Sequence, residues 1–378
     1  MKTKILQEKL YQAVAQVEKI TGKDVTLPIL SNILLKAEKN SLTAIATNLE
    51  TGISWKLLSK TEDEGSIALP AQTFSGLVGS FPGGSISIES DNGAVTILGD
   101  RRKSNLKGLS ADEFPALPIS TEGEYLTIKS DIFCQALAQV VNFTSSSSVK
   151  PEITGVYVLF KEGEIKIVAT DSFRLGEKTV RIAKGKALSK NYSIILPARA
   201  VKEIISIFGD KQSNINIFLN INQVVIDIDS GEDVAQPRIQ FVSRLIEGEF
   251  PDYQAIIPAS YAASMSFSKK ELLNHLKSAG LFAGKGNEIV VRLSQKDMVL
   301  TISSQSSELG EYESELKLNS ATGEDVTITF NYRFLVDGLN SIKDDKCVFE
   351  FSSDEGPGVL KPADDPDFIY ILMPIKKY

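Results

Sequence analysis

Histidine and cysteine are almost missing from this chain of 378 residues: His275 is the sole histidine, and Cys134 and Cys347 are the only cysteines. Any Ser-His-Asp or Cys-His triad, and any histidine-based metal site, must therefore be built on one position. That position lies in KKELLNHLKSAG, at helical spacing with Leu272, Leu273 and Leu276. It reads as a helix-surface or interface histidine. Two cysteines cannot make a disulfide framework, and such usage suits a reducing compartment. No apolar run approaches the roughly 18 residues of a membrane span. The opening MKTKILQEKLYQAVAQ lacks the continuous apolar region and small-residue cleavage site of a secretory signal. There is no G-x-x-x-x-G-K-[ST] phosphate loop, no G-x-S-x-G elbow and no H-E-x-x-H. The net charge of −7 argues against a uniformly basic coat for nucleic acid but leaves room for a local basic surface.

What is present is an internal repeat, which decides the architecture. Tyr-Gln-Ala-Val-Ala-Gln-Val at 11–17 returns as Cys-Gln-Ala-Leu-Ala-Gln-Val at 134–140, an offset of 123. SIALPAQTFSGLVGSF from Ser66 returns as SIILPARAVKEIISIF from Ser193, and Leu-Thr-Ala-Ile-Ala-Thr-Asn at 42–48 as Ile-Lys-Ile-Val-Ala-Thr-Asp at 165–171. A fainter third copy holds SMSFSKKELLNHLKSAG from Ser264, MVLTISS from Met298 and DVTITFNYRFLVDGLNSI from Asp325. Three units of about 120–130 residues follow, a usual domain size. The boundaries fall at the proline-containing stretches after Phe114 and Phe250, giving domains 1–120, 121–254 and 255–378.

Each unit has one grammar. A short alternating strand leads into an amphipathic helix. Two strands follow around a polar turn such as Glu38-Lys39-Asn40 or Lys161-Glu162-Gly163, and another strand enters a second helix after Leu-Pro-Ala. Pro70 and Pro197 fall at that helix start, where a missing N–H costs little. Alternating strands then close the unit. The fold class is α+β, with two helices of about 11–14 residues per unit on antiparallel sheet. The acidic runs Glu62-Asp63-Glu64 and Asp364-Asp365-Pro366-Asp367 lack EF-hand spacing and read as solvated loops. Ala-Thr-Asp at 169–171 becomes Ala-Thr-Asn in the first unit and Ile-Ser-Ser in the third. A position so free in its chemistry reads as a strand-end turn. No catalytic residue, metal site or cofactor is expected.

The pieces TLPILSNILLKAE from Thr26, ATNLETGI from Ala46, SADEFPALP from Ser110, VATDSFRL from Val168, SRLIEGEFPDYQAIIP from Ser243 and the terminal IYILMPIKKY together give the chain a resemblance to a known family. It resembles the bacterial DNA polymerase III beta subunits, the β sliding clamps, over essentially its whole length. The resemblance implies a cytoplasmic, non-enzymatic protein that forms a head-to-tail homodimeric ring around double-stranded DNA, without sequence preference. It further implies that the ring tethers the replicative polymerase, the clamp loader and other proteins with a clamp-binding motif.

By the same resemblance, a partner-peptide pocket joins Ile153, Thr170, Ser172, Phe173, Arg174 and Leu175 to Pro251, Ala255 and Ile256. Asn331, Phe334 and Pro357 continue it, and Ile371, Met373, Pro374 and Ile375 complete it. Ser172-Phe173 stands where the family usually has Gly-His, so Phe173 is expected to enlarge the apolar wall. A ring interface is expected to set the basic Arg101, Arg102 and Lys103, with Leu106, against a partner's Glu308, Glu311, Glu313 and Glu315, with Leu281 and Phe282. Alternation places Glu311, Glu313 and Glu315 on one strand face. Candidate bases for the DNA channel are Lys9, Lys19 and Lys23, then Lys150, Arg199 and Lys202, then Lys270, Lys277 and Arg333. Read from the residues alone, two other classes stay open. One is a β-rich repeat scaffold that never encircles DNA. The other is an enzyme with a composite Asp/Glu site, for which the sequence offers no constellation.

Overall fold

The computed structural model describes residues 1–22, 27–91, 93–182, 190–228 and 238–376. The first repeat runs β1 (Lys2–Leu6), α1 (Gln7–Val17), β2 (Asn32–Glu38), β3 (Ser41–Thr47), β4 (Thr51–Leu58), β5 (Lys60–Asp63), β6 (Gly65–Pro70), α2 (Ala71–Ser80), β7 (Ser85–Asp91), β8 (Ala94–Gly99) and β9 (Arg102–Lys107). The second runs β10 (Tyr125–Lys129), α3 (Ser130–Val140), β11 (Gly155–Lys161), β12 (Glu164–Thr170), β13 (Arg174–Arg181), β14 (Tyr192–Pro197), α4 (Ala198–Phe208), β15 (Asn214–Leu219), β16 (Gln223–Ile228) and β17 (Arg238–Arg244). The third runs β18 (Ala263–Ser268), α5 (Lys269–Gly280), β19 (Glu288–Ser294), β20 (Val299–Ser306), β21 (Gly310–Lys317), β22 (Ser320–Gly323), β23 (Val326–Asn331), α6 (Tyr332–Ser341), β24 (Lys346–Phe351), β25 (Gly358–Pro362) and β26 (Phe368–Leu372).

The helices form because each repeats one apolar stripe. In α1 the buried Leu10, Ala13, Val14 and Val17 recur at i, i+3, i+4 and i+7, while Glu8 and Lys9 face solvent. Burying each large aliphatic side chain contributes about 1.5–3 kcal/mol. In α5, Ser268 Oγ accepts from Glu271 N as the N-cap half of an S-x-x-E box. In α6, Asn331 Oδ1 accepts from Arg333 N at 3.0 Å. Helices of 10 to 12 residues are slightly shorter than expected. Pro70 is not the first helical residue but the last of its strand, paired with Asn32 and serving as N-cap.

Two compact units emerge, and they do not follow the three repeats. One comprises Met1–Gln135, Lys184–Tyr192 and Arg199–Leu245; the other comprises Ala136–Ala183, Ser193–Ala198 and Ile246–Tyr378. The cause is strand pairing across repeats. In the first unit, β17 closes the second repeat and pairs antiparallel with β4 of the first, making a sheet of order β10-β15-β16-β17-β4-β3-β2-β6. In the second unit, β26 pairs likewise with β13, in the order β14-β11-β12-β13-β26-β25-β24-β18-β22. The β13–β26 seam is reinforced by Lys178 to Asp365 at 2.5 Å, Arg181 to Asp367 at 2.8 Å and Thr179 N donating to Asp367 O at 2.7 Å. The terminal acidic run, expected to be a solvated loop, is therefore partly a counter-ion clasp. Glu62 is similarly tied to Lys2 at 2.9 Å.

Two smaller sheets remain, each within one unit: β5-β1-β7-β8-β9 and β21-β20-β19-β23. Their edge strands β9 and β21 hold the repeat positions that β17 and β4, or β26 and β13, hold at the two closed seams.

Candidate functional site

Side chains fix the turn between β12 and β13. Thr170 Oγ1 donates to Arg174 O at 2.7 Å and accepts from Ser172 N at 3.2 Å. Asp171 Oδ1 accepts from Phe173 N and Arg174 N, both at 3.0 Å. This is the strand-end turn expected of Ala-Thr-Asp, held by a carboxylate acting on its own backbone. Ser172 sits at φ 78°, a region glycine adopts more easily. Arg174 then braces the turn. Its Nε reaches Asp171 Oδ2 at 2.9 Å and its Nη1 reaches Asp337 Oδ2 at 2.5 Å. Its guanidinium lies 4.4 Å from the Phe334 ring centroid and 5.4 Å from that of Phe143. Burial opposes the charge, but the bonds to Asp337 and Asp171 and the Tyr370 phenol outweigh it, so the guanidinium pKa stands above its ordinary value.

Beside this turn opens a cavity of about 230 Å³, lined by Lys150, Ile153, Thr170, Ser172, Arg174, Leu175, Pro251, Asp252, Tyr253, Ile256, Ile371 and Met373. Leu175 and Ile371 are register partners across the β13–β26 seam and belong to the core cluster beneath the cavity. Tyr253 joins that cluster; burial and the Glu177 carboxylate hold its phenol far above the ordinary range. The chain after β26 is pinned alongside, with Met373 N donating to Phe173 O at 2.9 Å and Ile375 N to Thr329 O at 2.8 Å.

The sequence-predicted set is brought together in part. Ile153, Thr170, Ser172, Arg174, Leu175, Pro251, Ile256, Ile371 and Met373 line the cavity; Phe173, Ala255, Asn331, Phe334, Pro357, Pro374 and Ile375 do not. Phe173, expected in the apolar wall, is 62% exposed and stacks 6.5 Å from Phe334 outside the cavity. Asn331 caps α6, Pro357 O accepts from Ser352 N in the β24–β25 turn, and Ile375 is bonded to β23. Sequence reasoning missed Asp252 and Tyr253, which directly follow the recognised Pro251. Lys150, expected among the DNA bases, is among the residues that line the cavity.

The edge strands carry opposite charge. Asp100 and Arg101, at φ 40° and 61°, form the two-residue turn between paired Gly99 and Arg102. Arg101 and Lys103 are exposed, while Leu106 is half-buried. Arg102 Nη1 donates to Ser80 O at 2.6 Å, capping α2. On β21, Glu311, Glu313 and Glu315 are exposed on one face. Tyr312 stacks on Phe282 at 6.0 Å, and Ser314 Oγ lies 2.9 Å from His275 Nδ1. Leu281 is 71% exposed. Glu308 sits in the preceding hairpin, its N–H donating to Ser306 Oγ. Glu288, Glu311 and Glu313 also line a polar cleft of about 500 Å³.

The expected DNA bases sit mainly on helices. Lys9, Lys202, Lys270 and Lys277 are exposed. Lys19 Nζ reaches Gln16 Oε1 and Ser206 Oγ, Arg199 pairs with Glu203 at 3.0 Å, and Arg333 lies over the Tyr332 ring. Lys23 lies outside the described residues.

Comparison with known proteins agrees from end to end. Models for the N-terminal, central and C-terminal domains of the DNA polymerase III beta subunit match residues 1–118, 127–252 and 254–376. The chain belongs to the DNA polymerase III beta subunit family. A curated relative, the beta sliding clamp of Staphylococcus aureus, is 28% identical over 362 residues, covering 93% of each chain. The solved DNA polymerase sliding clamp from Bacillus subtilis superposes over the whole of both chains with a TM-score of 0.92 at 25% identity. The beta subunit from Thermotoga maritima shares the fold, with a TM-score of 0.90 at 23% identity.

Proposed function

We propose that two copies of this chain close head to tail into a ring that encircles duplex DNA and tethers polymerase to it. One observation carries the reading. The last strand of a repeat pairs with the fourth strand of the repeat before it at two seams, β17–β4 and β26–β13. The same two positions are left as edges on β9 and β21. A second copy supplies the missing partner for each, and a head-to-tail contact that closes by rotation makes a ring. An unpaired strand edge is otherwise an aggregation hazard.

Arg101 and Lys103 on one edge and Glu311, Glu313 and Glu315 on the other favour this orientation. Exposed ion pairs contribute only about 0–1 kcal/mol each, so main-chain pairing and the apolar Leu106, Leu281 and Phe282 carry more. The repeats are read as domains 1–120, 121–254 and 255–378. Exposed bases on α1, α4, α5 and α6 suit loose, sequence-independent contact with phosphates. Few tight contacts keep the salt-dependent affinity low and leave the ring free to slide. The grip is topological, the protein is not an enzyme, and it works in the cytoplasm. The cavity beside the β12–β13 turn, with its pinned C-terminal segment, takes an extended peptide from polymerase, clamp loader or other partners. Its methionine repacks at little cost and suits several such peptides.

The test is retention on circular DNA after loading by the cognate loader. The ring stays on the closed circle and runs off once the circle is cut. Equal retention on both forms, or a monomer at micromolar concentration in sedimentation, refutes the ring.

A further inference from the structure

The lining of the 230 Å³ cavity holds three charged side chains, and their situations differ. Arg174 is neutralised by Asp171 and Asp337. Lys150 and Asp252 are exposed and have no ion pair or side-chain hydrogen bond with any described residue. The remaining lining is mostly apolar, with Ile153, Leu175, Ile256 and Met373 among it, and the Thr170 hydroxyl is committed to the Arg174 carbonyl. The cavity is thus an apolar socket whose wall carries one cation and one anion without a side-chain partner among the described residues.

We infer that Lys150 and Asp252 set which segments the pocket accepts: an apolar anchor flanked by an acidic side chain for Lys150 and a basic one for Asp252. This rests on the peptide-pocket reading above. The physical basis is complementarity. Opposite charges placed at a binding surface add modestly to affinity, but they penalise a reversed or like-charged partner and fix its direction. Neither charge has a partner to lose among the described residues, so a ligand gains each contact without breaking one of those. Arg174 is different, because any ligand carboxylate there must compete with two resident carboxylates.

The probe is a set of short synthetic peptides around a Leu-Leu anchor. One is flanked by serines, one by Glu and Lys, and one by the same charges exchanged; all are titrated by calorimetry against the full-length protein. The correctly flanked peptide binds about two- to five-fold tighter than the serine peptide for each charge matched, and the exchanged peptide binds more weakly than either. Lys150→Gln and Asp252→Asn each shrink the charged-to-neutral affinity ratio toward one. High salt does the same to the wild-type protein. The inference is overturned if the serine and charged peptides bind alike. It is also overturned if the substitutions weaken both equally and leave the ratio intact. Failure of every peptide to bind up to millimolar concentration removes the pocket reading and this inference together.

Discussion

The turns at Thr47–Thr51 and Thr170–Arg174 are built alike, yet the side chains packed around them differ, and the second borders the 230 Å³ cavity. In the first, Thr47 Oγ1 donates to Thr51 O and accepts from Leu49 N, and Asn48 Oδ1 accepts from Glu50 N and Thr51 N. Leu49 takes φ 72°, as Ser172 takes 78°. Even the neighbouring strand bond is repeated: Arg244 N donates to Glu50 O as Met373 N does to Phe173 O. The side chains around the two frames differ. Where Leu175 stands in the second, the first has Gly52, and Leu117 packs so closely over it that an added Cβ would lie 2.5 Å from Leu117 Cδ2. Where Met373 stands, the first has Arg244. The duplicated hairpin is thus a neutral scaffold. In the first a leucine lies over a glycine, while in the second an arginine brace and an apolar terminal segment border the cavity.

The largest test of that contrast is to delete Met373–Tyr378. Peptide binding falls by about a hundred-fold or more, since it loses one wall and a central anchor, while retention on circular DNA persists. Unchanged peptide affinity by titration would refute the pocket assignment. A smaller effect separates the two turn carboxyl-type residues. Asn48→Ala removes one acceptor of two backbone N–H groups and costs about 1 kcal/mol in urea unfolding. Asp171→Ala removes the same acceptor and one of the two carboxylate partners of half-buried Arg174, costing about 2–3 kcal/mol, and it alone weakens peptide binding. Equal costs would mean that the brace contributes nothing. The smallest effect concerns backbone strain. Leu49→Gly and Ser172→Gly each relieve a left-handed residue and raise stability by up to about 1 kcal/mol. Similar gains would sharpen the equivalence of the frames, and gains of opposite sign would break it.

The threefold repeat, the helices and the charged strand face at Glu311–Glu315 were legible because they depend on local periodicity. The seams were not. Nothing local in β17 or β26 announces that it pairs with β4 or β13 rather than staying within its own repeat, because strand partners are chosen by tertiary contact. The lining of the cavity was legible to the extent that its residues sit on recognisable motifs. Asp252 and Tyr253 were missed although they adjoin Pro251, because a loop side chain's direction depends on the packing around it. The Arg102 bond to Ser80 and the place of Lys150 in the cavity lining were hidden for a related reason: charge shows in sequence, whereas the atom a charge is aimed at does not.

Because β17–β4 and β26–β13 lie inside the compact units, the proposed ring relies on β9 against a partner's β21, made twice, to join one copy to the next. Each such latch is a pair of short edge strands, six residues on one side and eight on the other. Whatever machine prises the hoop apart needs to peel a single latch. The two closed seams, each within one unit, keep their pairing when it is peeled.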